Sequence, residues 1–228
     1  SFPEQMKTIC CVSGVCEENV EDVLSEVIRN GADIVFEVAP QMMKPSLKIA
    51  VDHPDVKILN CTLNTSHKYI RTYYARMYEA KFIAGVIAGA LADNNKIAYI
   101  ADYPIYGMIA NINAFALGAS FTNPRAQIYL EWSTKKDYDR EHFLTENDIS
   151  VVSDQDMITP SDTKRQFGLY RIEEGRTLNL AMPLWNWGIF YEKMIQSILA
   201  GSYQTEGNSE DRALNYWWGM SAGVIDMI

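Results

Sequence analysis

A strand–helix–strand unit in the middle of the chain constrains the fold most, because its spacing leaves few alternatives. Residues 69–75 are rich in aromatic and β-branched residues and contain no Gly or Pro, which predicts a strand. Apolar residues recur at three- and four-residue steps over Tyr78–Ala92, which predicts a helix. Lys96–Ala101 is a short apolar run typical of a buried parallel strand, and a second helix follows Gly107. Ligands bind at the carboxyl ends of such strands, so residues 102–107 are the first candidate for a site.

The same alternation continues along the rest of the chain. Further helices are predicted at Glu17–Asn30, Pro40–Val51, Lys135–Glu146 and Trp187–Ala200. Further strands are predicted at Lys7–Ser13, Asp33–Val38, Lys57–Leu63, Ala126–Trp132, Ile149–Ser153, Phe167–Ile172 and Leu178–Met182. Gly85 and Gly89 lie one turn apart in the central helix and leave a shallow groove for close packing. Strands that alternate with helices predict an α/β fold built on doubly wound parallel sheets.

The charge of the chain excludes one class of partner. Lysine and arginine number 20 against 29 aspartates and glutamates, which gives a net charge of −9. This balance provides no basic surface for nucleic acid and opposes binding to anionic membranes. No apolar run in the sequence reaches the length that spans a bilayer.

The cysteines favour free thiols over a disulfide framework or a metal site. Adjacent Cys10 and Cys11 would point to opposite faces of a strand, and neither pairs with Cys16 in C-x-x-C spacing. We therefore expect no metal. With Cys61, the chain has four cysteines, and we expect all four to be buried free thiols. Free thiols favour a reducing compartment.

Three segments of the central stretch carry a pattern that is similar to a known family. They are YEA at 78–80 with GVIAG at 85–89, KIAYI at 96–100, and AFALGA at 114–119. Their order resembles the basic membrane protein family, the nucleoside-binding lipoproteins of bacterial ABC importers of the PnrA and Med type. The match is fairly specific in these segments and looser over the rest of the chain.

The resemblance implies a type I periplasmic-binding-protein-like fold, with two doubly wound parallel-sheet lobes joined by a hinge. The first lobe is expected to hold residues 1–94 with about 184–205, and the second 95–183 with about 206–228. The family has one further strand and helix ahead of these elements, so we expect them upstream of this sequence.

The resemblance also implies an extracytoplasmic protein, anchored to the cell membrane by a lipid, that works with an ABC-transporter permease. The free cysteines and the opening residues, SFPEQMKT, which do not form a signal peptide, keep a cytoplasmic location open as the alternative.

Enzyme signatures are weak. The sequence contains no G-x-G-x-x-G, no G-x-x-x-x-G-K-[ST] and no G-x-S-x-G motif. We interpret the chain as a binding protein rather than an enzyme, and we expect no cofactor. The remaining enzymatic alternative uses Asp102, Asp154 and Asp156 as acid–base groups.

Ligand-binding residues are expected at strand ends, where aromatic and polar side chains collect. Aromatic rings stack on planar ligands, and only one of Tyr73 and Tyr74 can face a given side of their strand. A carboxylate at Asp102 can accept hydrogen bonds from ribose hydroxyls or a base amine, with a helix N-cap as the alternative role. The predicted ligand-binding residues are Tyr74, Asp102, Tyr103, Tyr106, Asn111, Asp154, Trp185, Asn186 and Trp187.

One segment departs from the family pattern. Where the family carries a basic and an acidic residue near the ligand, this chain has Trp185, Asn186 and Trp187, so aromatic contacts replace charged ones. The predicted function is a solute-binding protein of an ABC importer that closes its two lobes on a small, neutral, planar, nucleoside-like molecule. The alternative is a cytoplasmic ligand-sensing domain of a larger transcriptional or signalling regulator.

Overall fold

Strands and helices alternate along the computed structural model of the chain. The structure describes residues 6–63, 66–104, 106–154, 167–173, 176–205 and 215–228. The α-helices are α1 Val20–Arg29, α2 Met43–Asp52, α3 Met77–Leu91, α4 Tyr106–Thr122, α5 Arg140–Glu146, α6 Trp187–Leu199 and α7 Ser202–Thr205. The strands are β1 Ile34–Glu37, β2 Lys57–Cys61, β3 Ile70–Ala75, β4 Lys96–Ala101, β5 Gln127–Trp132, β6 Val151–Asp154, β7 Gly168–Glu173, β8 Arg176–Ala181, β9 Pro183–Trp185, β10 Asn215–Trp218 and β11 Ile225–Met227. Short 3₁₀ helices cover Pro40–Met42 and Met220–Ala222.

Contacts along the chain separate two compact units. The first unit comprises Ser1–Tyr74 and Gly207–Tyr216, and the second comprises Ala75–Glu206 and Trp217–Ile228. The lobes predicted from the sequence differ from this division, because they place residues 75–94 and about 184–205, which contain α3 and α6, with the first lobe. Residues 207–216 also differ, because they belong to the first unit and were predicted in the second lobe.

The first sheet has the strand order β1-β2-β3-β10. Strand β2 pairs in parallel with both β1 and β3, so that Glu37 lies opposite Asn60 and Ile58 lies opposite Ile70. The apolar stripes of α1 and α2 cover this sheet through Leu24 and Ala50, which pack with Ile58 and Ile70. This pairing confirms the predicted parallel arrangement for β1, β2 and β3. Short apolar strands that helices bury are typical of parallel sheets.

The second sheet is mixed, with the order β5-β4-β6-β7-β8. Strand β4 is parallel to β5 and to β6, whereas β6, β7 and β8 run antiparallel in succession. The predicted parallel pairing is confirmed for β5, β4 and β6, and β7 and β8 extend the sheet as an antiparallel pair that the prediction did not include. Only two residues separate β7 from β8, which suits a hairpin and is too short for the crossover that a parallel pair requires.

Helices α3 and α4 pack closely at positions that carry glycine. A Cβ at Gly85 would lie 2.1 Å from the carbonyl oxygen of Phe115, and a Cβ at Gly118 would lie 2.1 Å from that of Phe82. No larger residue fits at either contact without moving a backbone. The groove predicted at Gly85 and Gly89 is thus the surface that brings α3 against α4 in the second unit.

Two predicted elements are wrong or shorter than expected. Residues Lys7–Ser13 form no strand, and no neighbouring strand of the described part of the chain pairs with them. A strand requires such a partner, so the β-favouring sequence alone does not decide the conformation. The helix predicted from Lys135 begins only at Arg140, where Asp139 caps it by accepting a hydrogen bond from the His142 amide at 3.0 Å.

Within the part of the chain that the structure describes, every helix is too short or too polar to cross a membrane.

Candidate functional site

Three neighbouring strands of the second unit end in polar residues at the same edge of the sheet. Asp102 follows β4, Ser133 and Thr134 follow β5, and Asp154 ends β6. Asp102 is only 1% exposed, and one of its carboxylate oxygens accepts a hydrogen bond from the Ser133 hydroxyl at 2.6 Å. The Thr134 hydroxyl donates to the Asp102 carbonyl at 2.6 Å. The carboxyl end of β4 is therefore a buried, hydrogen-bonded acidic position.

Asp154 forms a buried ion pair at this edge. The Nε and one terminal nitrogen of Arg140 each lie 2.7 Å from the same carboxylate oxygen of Asp154, whose side chain is 2% exposed. Burial by itself would lower the pKa of Arg140, but the carboxylates of Asp154 and Glu141 outweigh this and raise it. The guanidinium stays charged, and it neutralises Asp154.

Tyr138 supplies a buried hydroxyl beside these carboxylates. Its phenolic oxygen has no hydrogen-bond partner among the described residues. Burial is the main cause that raises the pKa of Tyr138, and the negative charge of Asp154 adds to it, with a smaller contribution from Asp102. The hydroxyl therefore remains protonated at neutral pH and can both donate and accept a hydrogen bond.

A buried lysine reaches the same strand ends from α3. Lys81 is 1% exposed, its Nζ lies 3.2 Å from the Ser153 hydroxyl, and it sits 5.1 Å from the centre of the Tyr99 ring. A buried ammonium requires polar or aromatic partners, and both are present. With Arg140, Lys81 gives the edge two cations beside its two aspartates.

The first unit has its own polar cluster at strand ends. Glu37 ends β1 and is buried, and its carboxylate accepts hydrogen bonds from the hydroxyl of Ser46 and from the amide of Asn60, the latter at 2.7 Å. The Tyr73 hydroxyl donates to the Glu37 carbonyl at 3.0 Å. Burial raises the pKa of Glu37, and the Ser46 and Asn60 hydrogen bonds oppose that increase.

The structure brings together part of the predicted ligand set. Asp102 and Asp154 lie at one edge of the second sheet, and the charges of both act on Tyr138. Tyr103 follows Asp102 directly and is 51% exposed. Asn111 is buried in α4, Tyr106 begins the same helix with a side chain outside the described set, and Tyr74 is half-buried in the first unit.

The predicted Trp185-Asn186-Trp187 segment joins β9 to α6, and its rings contact other aromatic side chains of the protein. Trp185 stacks on Phe167 at 5.7 Å between ring centres, and Trp187 stacks on Tyr191 at 6.4 Å. Asn186 donates its backbone amide to the Val224 carbonyl at 2.8 Å. These contacts fix the segment locally, and its role as a ligand clamp stays a prediction.

Several polar residues of both clusters were not predicted. Arg140 and Tyr138 lie in the charged segment predicted as a helix, and Glu37 and Asn60 lie inside predicted strands, without a role in ligand binding assigned to any of them. Lys81 had a visible signal, because it is the only cation within the apolar sequence of α3. Of the three aspartates in the enzymatic alternative, Asp154 is held in the ion pair with Arg140. Asp156 lies outside the described residues.

Comparison with known structures first defines the class of fold. The chain is similar to an ABC transporter solute-binding protein from Conexibacter woesei, with a TM-score of 0.63 and 14% identity over 93% of this chain and 74% of that chain. It is also similar to a transcriptional activator of the comK gene from Bacillus halodurans, with a TM-score of 0.67 and 13% identity over 93% and 76% of the two chains. The fold is therefore the α/β fold of solute-binding proteins.

The family follows from the sequence. Residues 4–168 match the family of PnrA-like ABC transporter substrate-binding proteins, and the chain belongs to this family. The resemblance to basic membrane proteins, drawn from the central segments, is thereby confirmed.

Two curated relatives are similar over most of this chain. A putative ABC transporter glucose-binding protein, TsgA13 of Haloferax volcanii, is 25% identical over 223 residues, which are 92% of this chain and 55% of the relative. A purine-binding protein of Brucella abortus is 23% identical over 222 residues, which are 92% of this chain and 61% of the relative. The chain thus spans between about half and three-fifths of the length of these relatives.

Proposed function

We propose that the chain is the ligand-binding part of an ABC-importer solute-binding protein and that it binds a small, neutral, planar, nucleoside-like molecule. The observation that carries the proposal is the edge formed by β4, β5 and β6. There, Asp102 and Asp154 have matched partners, whereas the buried Tyr138 hydroxyl has none among the residues that the structure describes. A buried hydroxyl without a partner is costly, and a ligand that bonds to it removes that cost.

The charge balance of this edge supports a neutral ligand. Arg140 neutralises Asp154, and Asp102 accepts the Ser133 hydroxyl. A charged ligand would have to break one of these arrangements or bring its own unpaired charge into a buried place, which is unfavourable. The relatives named for purine and for glucose also concern uncharged molecules.

Planarity rests on the aromatic side chains near the strand ends. Tyr103 follows β4 and is half-exposed, so its ring face is accessible for stacking. Trp185 and Trp187 remain candidates for the same role. In this proposal the predicted lobes close on the ligand, and the protein works outside the cytoplasm with an ABC-transporter permease, as its family does.

Ligand binding is tested by thermal shift and isothermal titration calorimetry against purine nucleosides, free purine bases and glucose. We expect saturable binding of a nucleoside or base. Tyr138→Phe should weaken that binding about tenfold while leaving the melting temperature of the free protein unchanged or higher, because it removes an unpaired buried hydroxyl. The matched control is Tyr129→Phe, whose hydroxyl contacts only Gln127 at 3.2 Å among the described residues. Binding of no compound in the panel would contradict the proposal.

A ligand-sensing domain of a regulator is the second candidate. The prediction that the free cysteines are buried is wrong for Cys10, Cys11 and Cys16, which are exposed. Exposed free thiols persist most easily in a reducing compartment. Fractionation of the native host cell decides between the two, since recovery with the cytoplasm would favour the regulator and recovery with the cell envelope would favour the importer.

A further inference from the structure

The polar cluster of the first unit contains a buried acceptor that no residue in the described part of the chain satisfies. Asn60 is fully buried, at 0% exposure, and its side-chain oxygen has no hydrogen-bond partner among the described residues. Glu37 lies directly opposite Asn60 on the neighbouring strand, and both residues stand near the carboxyl ends of β1 and β2. This is the edge at which ligands bind in open α/β sheets.

The orientation of the Asn60 amide is fixed by two hydrogen bonds. Its nitrogen donates to the Glu37 carboxylate at 2.7 Å and to the Ala39 carbonyl at 3.0 Å. Exchanging the oxygen and nitrogen would lose both bonds and set two pairs of acceptors against each other. The unpaired atom is therefore the oxygen, and the missing partner is a donor.

Glu37 adds a negative charge to the same place. Its carboxylate is hydrogen-bonded by neutral groups only, from Ser46 and Asn60, and it forms no ion pair within the described residues. Each carboxylate oxygen can accept a further hydrogen bond. A donor at this place would be attracted by the Asn60 oxygen and by the negative charge of Glu37, whereas a carbonyl or phosphate oxygen would meet repulsion.

We propose that Glu37 and Asn60 form a subsite on the first unit that binds a polar hydrogen-bond donor of the solute, an amino N–H or a sugar hydroxyl. The inference rests on the proposed function and deepens it, because it assigns the chemical group that the solute must carry. Ser46 and Tyr73 position the pair, since the Ser46 hydroxyl donates to the Glu37 carboxylate and the Tyr73 hydroxyl donates to the Glu37 carbonyl. The subsite rejects solutes that offer only acceptors.

The test uses matched probes on the purified protein. Isothermal titration calorimetry compares adenosine with purine riboside, which lacks the exocyclic amine, and with 2′,3′-dideoxyadenosine, which lacks the ribose hydroxyls. We expect the wild-type protein to bind adenosine at least about tenfold more tightly than one of the two, as one hydrogen bond to a charged acceptor allows. The probe that loses affinity identifies the amine or the hydroxyl as the donor.

Variants then test whether Glu37 and Asn60 cause the difference in affinity between the probes. Glu37→Gln and Asn60→Ala should reduce the difference between the matched probes to within about twofold. Glu26→Gln is the control, because Glu26 is exposed on α1 and its substitution should leave the difference unchanged. Circular dichroism and melting of the free variants verify folding, and if Asn60→Ala does not fold, Glu37→Gln and the wild-type probe series decide.

The outcomes separate the two proposals. Wild-type binding of all three probes with equal affinity, or variants that keep the full difference, would overturn the donor subsite and leave the proposed function intact. Failure of the wild-type protein to bind any nucleoside, base or sugar would overturn the proposed function, and the subsite with it.

Discussion

Two buried acidic groups, Asp154 of the second unit and Glu37 of the first, are held in opposite ways. In the second unit, Asp154 has a guanidinium partner in Arg140, so the pair is neutral. In the first unit, the described residues bring only neutral donors to Glu37, and none of them bonds to the adjacent Asn60 oxygen. A carboxylate with a matched cation is bound tightly by the protein itself, whereas one without a cation retains capacity for an external donor. The difference suggests that the first unit selects the chemical group of the ligand.

The largest expected effect is on the ion pair of the second unit. Arg140→Met leaves the Asp154 carboxylate buried without its cation, and we expect it to lower the free energy of unfolding by about 3–5 kcal/mol. Urea denaturation measures the loss. Adding Asp154→Asn to Arg140→Met removes the unpaired charge and should recover part of it.

The exposed Arg125 provides the matched control for this measurement. Arg125→Met should change the free energy of unfolding by less than about 0.5 kcal/mol. A loss of similar size in both arginine variants would show that Asp154 does not depend on Arg140. The contrast between the ion-paired Asp154 and Glu37 would then have no basis in the second unit.

A smaller loss is expected from the hydroxyl that bonds to Asp102. Ser133→Ala removes the donor at 2.6 Å from a buried carboxylate and should cost about 1–3 kcal/mol in urea denaturation. Ser120→Ala is the control, because the Ser120 hydroxyl bonds the Leu117 carbonyl on the exposed side of α4. Equal effects of the two substitutions would mean that Asp102 is hydrated rather than held by Ser133.

Glu37→Gln should act with the opposite sign. Burial raises the pKa of Glu37, so the native state binds the proton of this carboxyl more tightly than the unfolded state does. The native state therefore loses stability as the pH rises from the ordinary pKa of a glutamate through the raised pKa of Glu37. Removing the charge should therefore stabilise the ligand-free protein by about 0.5–1 kcal/mol at pH 8. The gain should disappear as the pH falls to the ordinary range of a glutamate.

Melting curves between pH 4 and pH 8 test this sign directly. A Glu37→Gln variant that is less stable than the wild-type protein at pH 8 would show that the carboxylate is favourably placed without a ligand. The contrast between the two units would then fail, and so would the physical reason for a donor subsite.

Local sequence patterns predicted the scaffold better than the site. The strand Lys96–Ala101 was predicted with its observed bounds, because a short apolar run that both sheet faces bury leaves little ambiguity. Lys7–Ser13 has similar composition and no strand partner, so the same local preference gives no strand. The outcome depends on which segments meet in space, and that information is not local.

The predicted site shows the same limit. Asp102 and Asp154 could be placed because each follows a predicted strand, and the carboxyl ends of parallel strands meet at one edge. Their partners could not be placed. Ser133 lies 31 residues from Asp102 and Arg140 lies 14 residues from Asp154, and no periodicity connects them. The pairing of Glu37 with Asn60 depends on the parallel register of β1 and β2, which the sequence of either strand does not fix.

The last prediction concerns chemical reactivity rather than stability, in the first unit, which holds all four cysteines. Cys61 follows Asn60 in β2, and burial raises the pKa of its thiol to about 11. At pH 8 only about one Cys61 thiol in a thousand is ionised, so its alkylation by iodoacetamide should be at least about a hundredfold slower than that of the exposed Cys10, Cys11 and Cys16. Mass spectrometry of a time course measures the four rates, and a variant with serine at the three exposed positions assigns the slow one. Fast labelling of Cys61 would show that β2 opens readily beside Asn60. Water would then hydrate the Asn60 side-chain oxygen, and a ligand donor would not be needed to satisfy it.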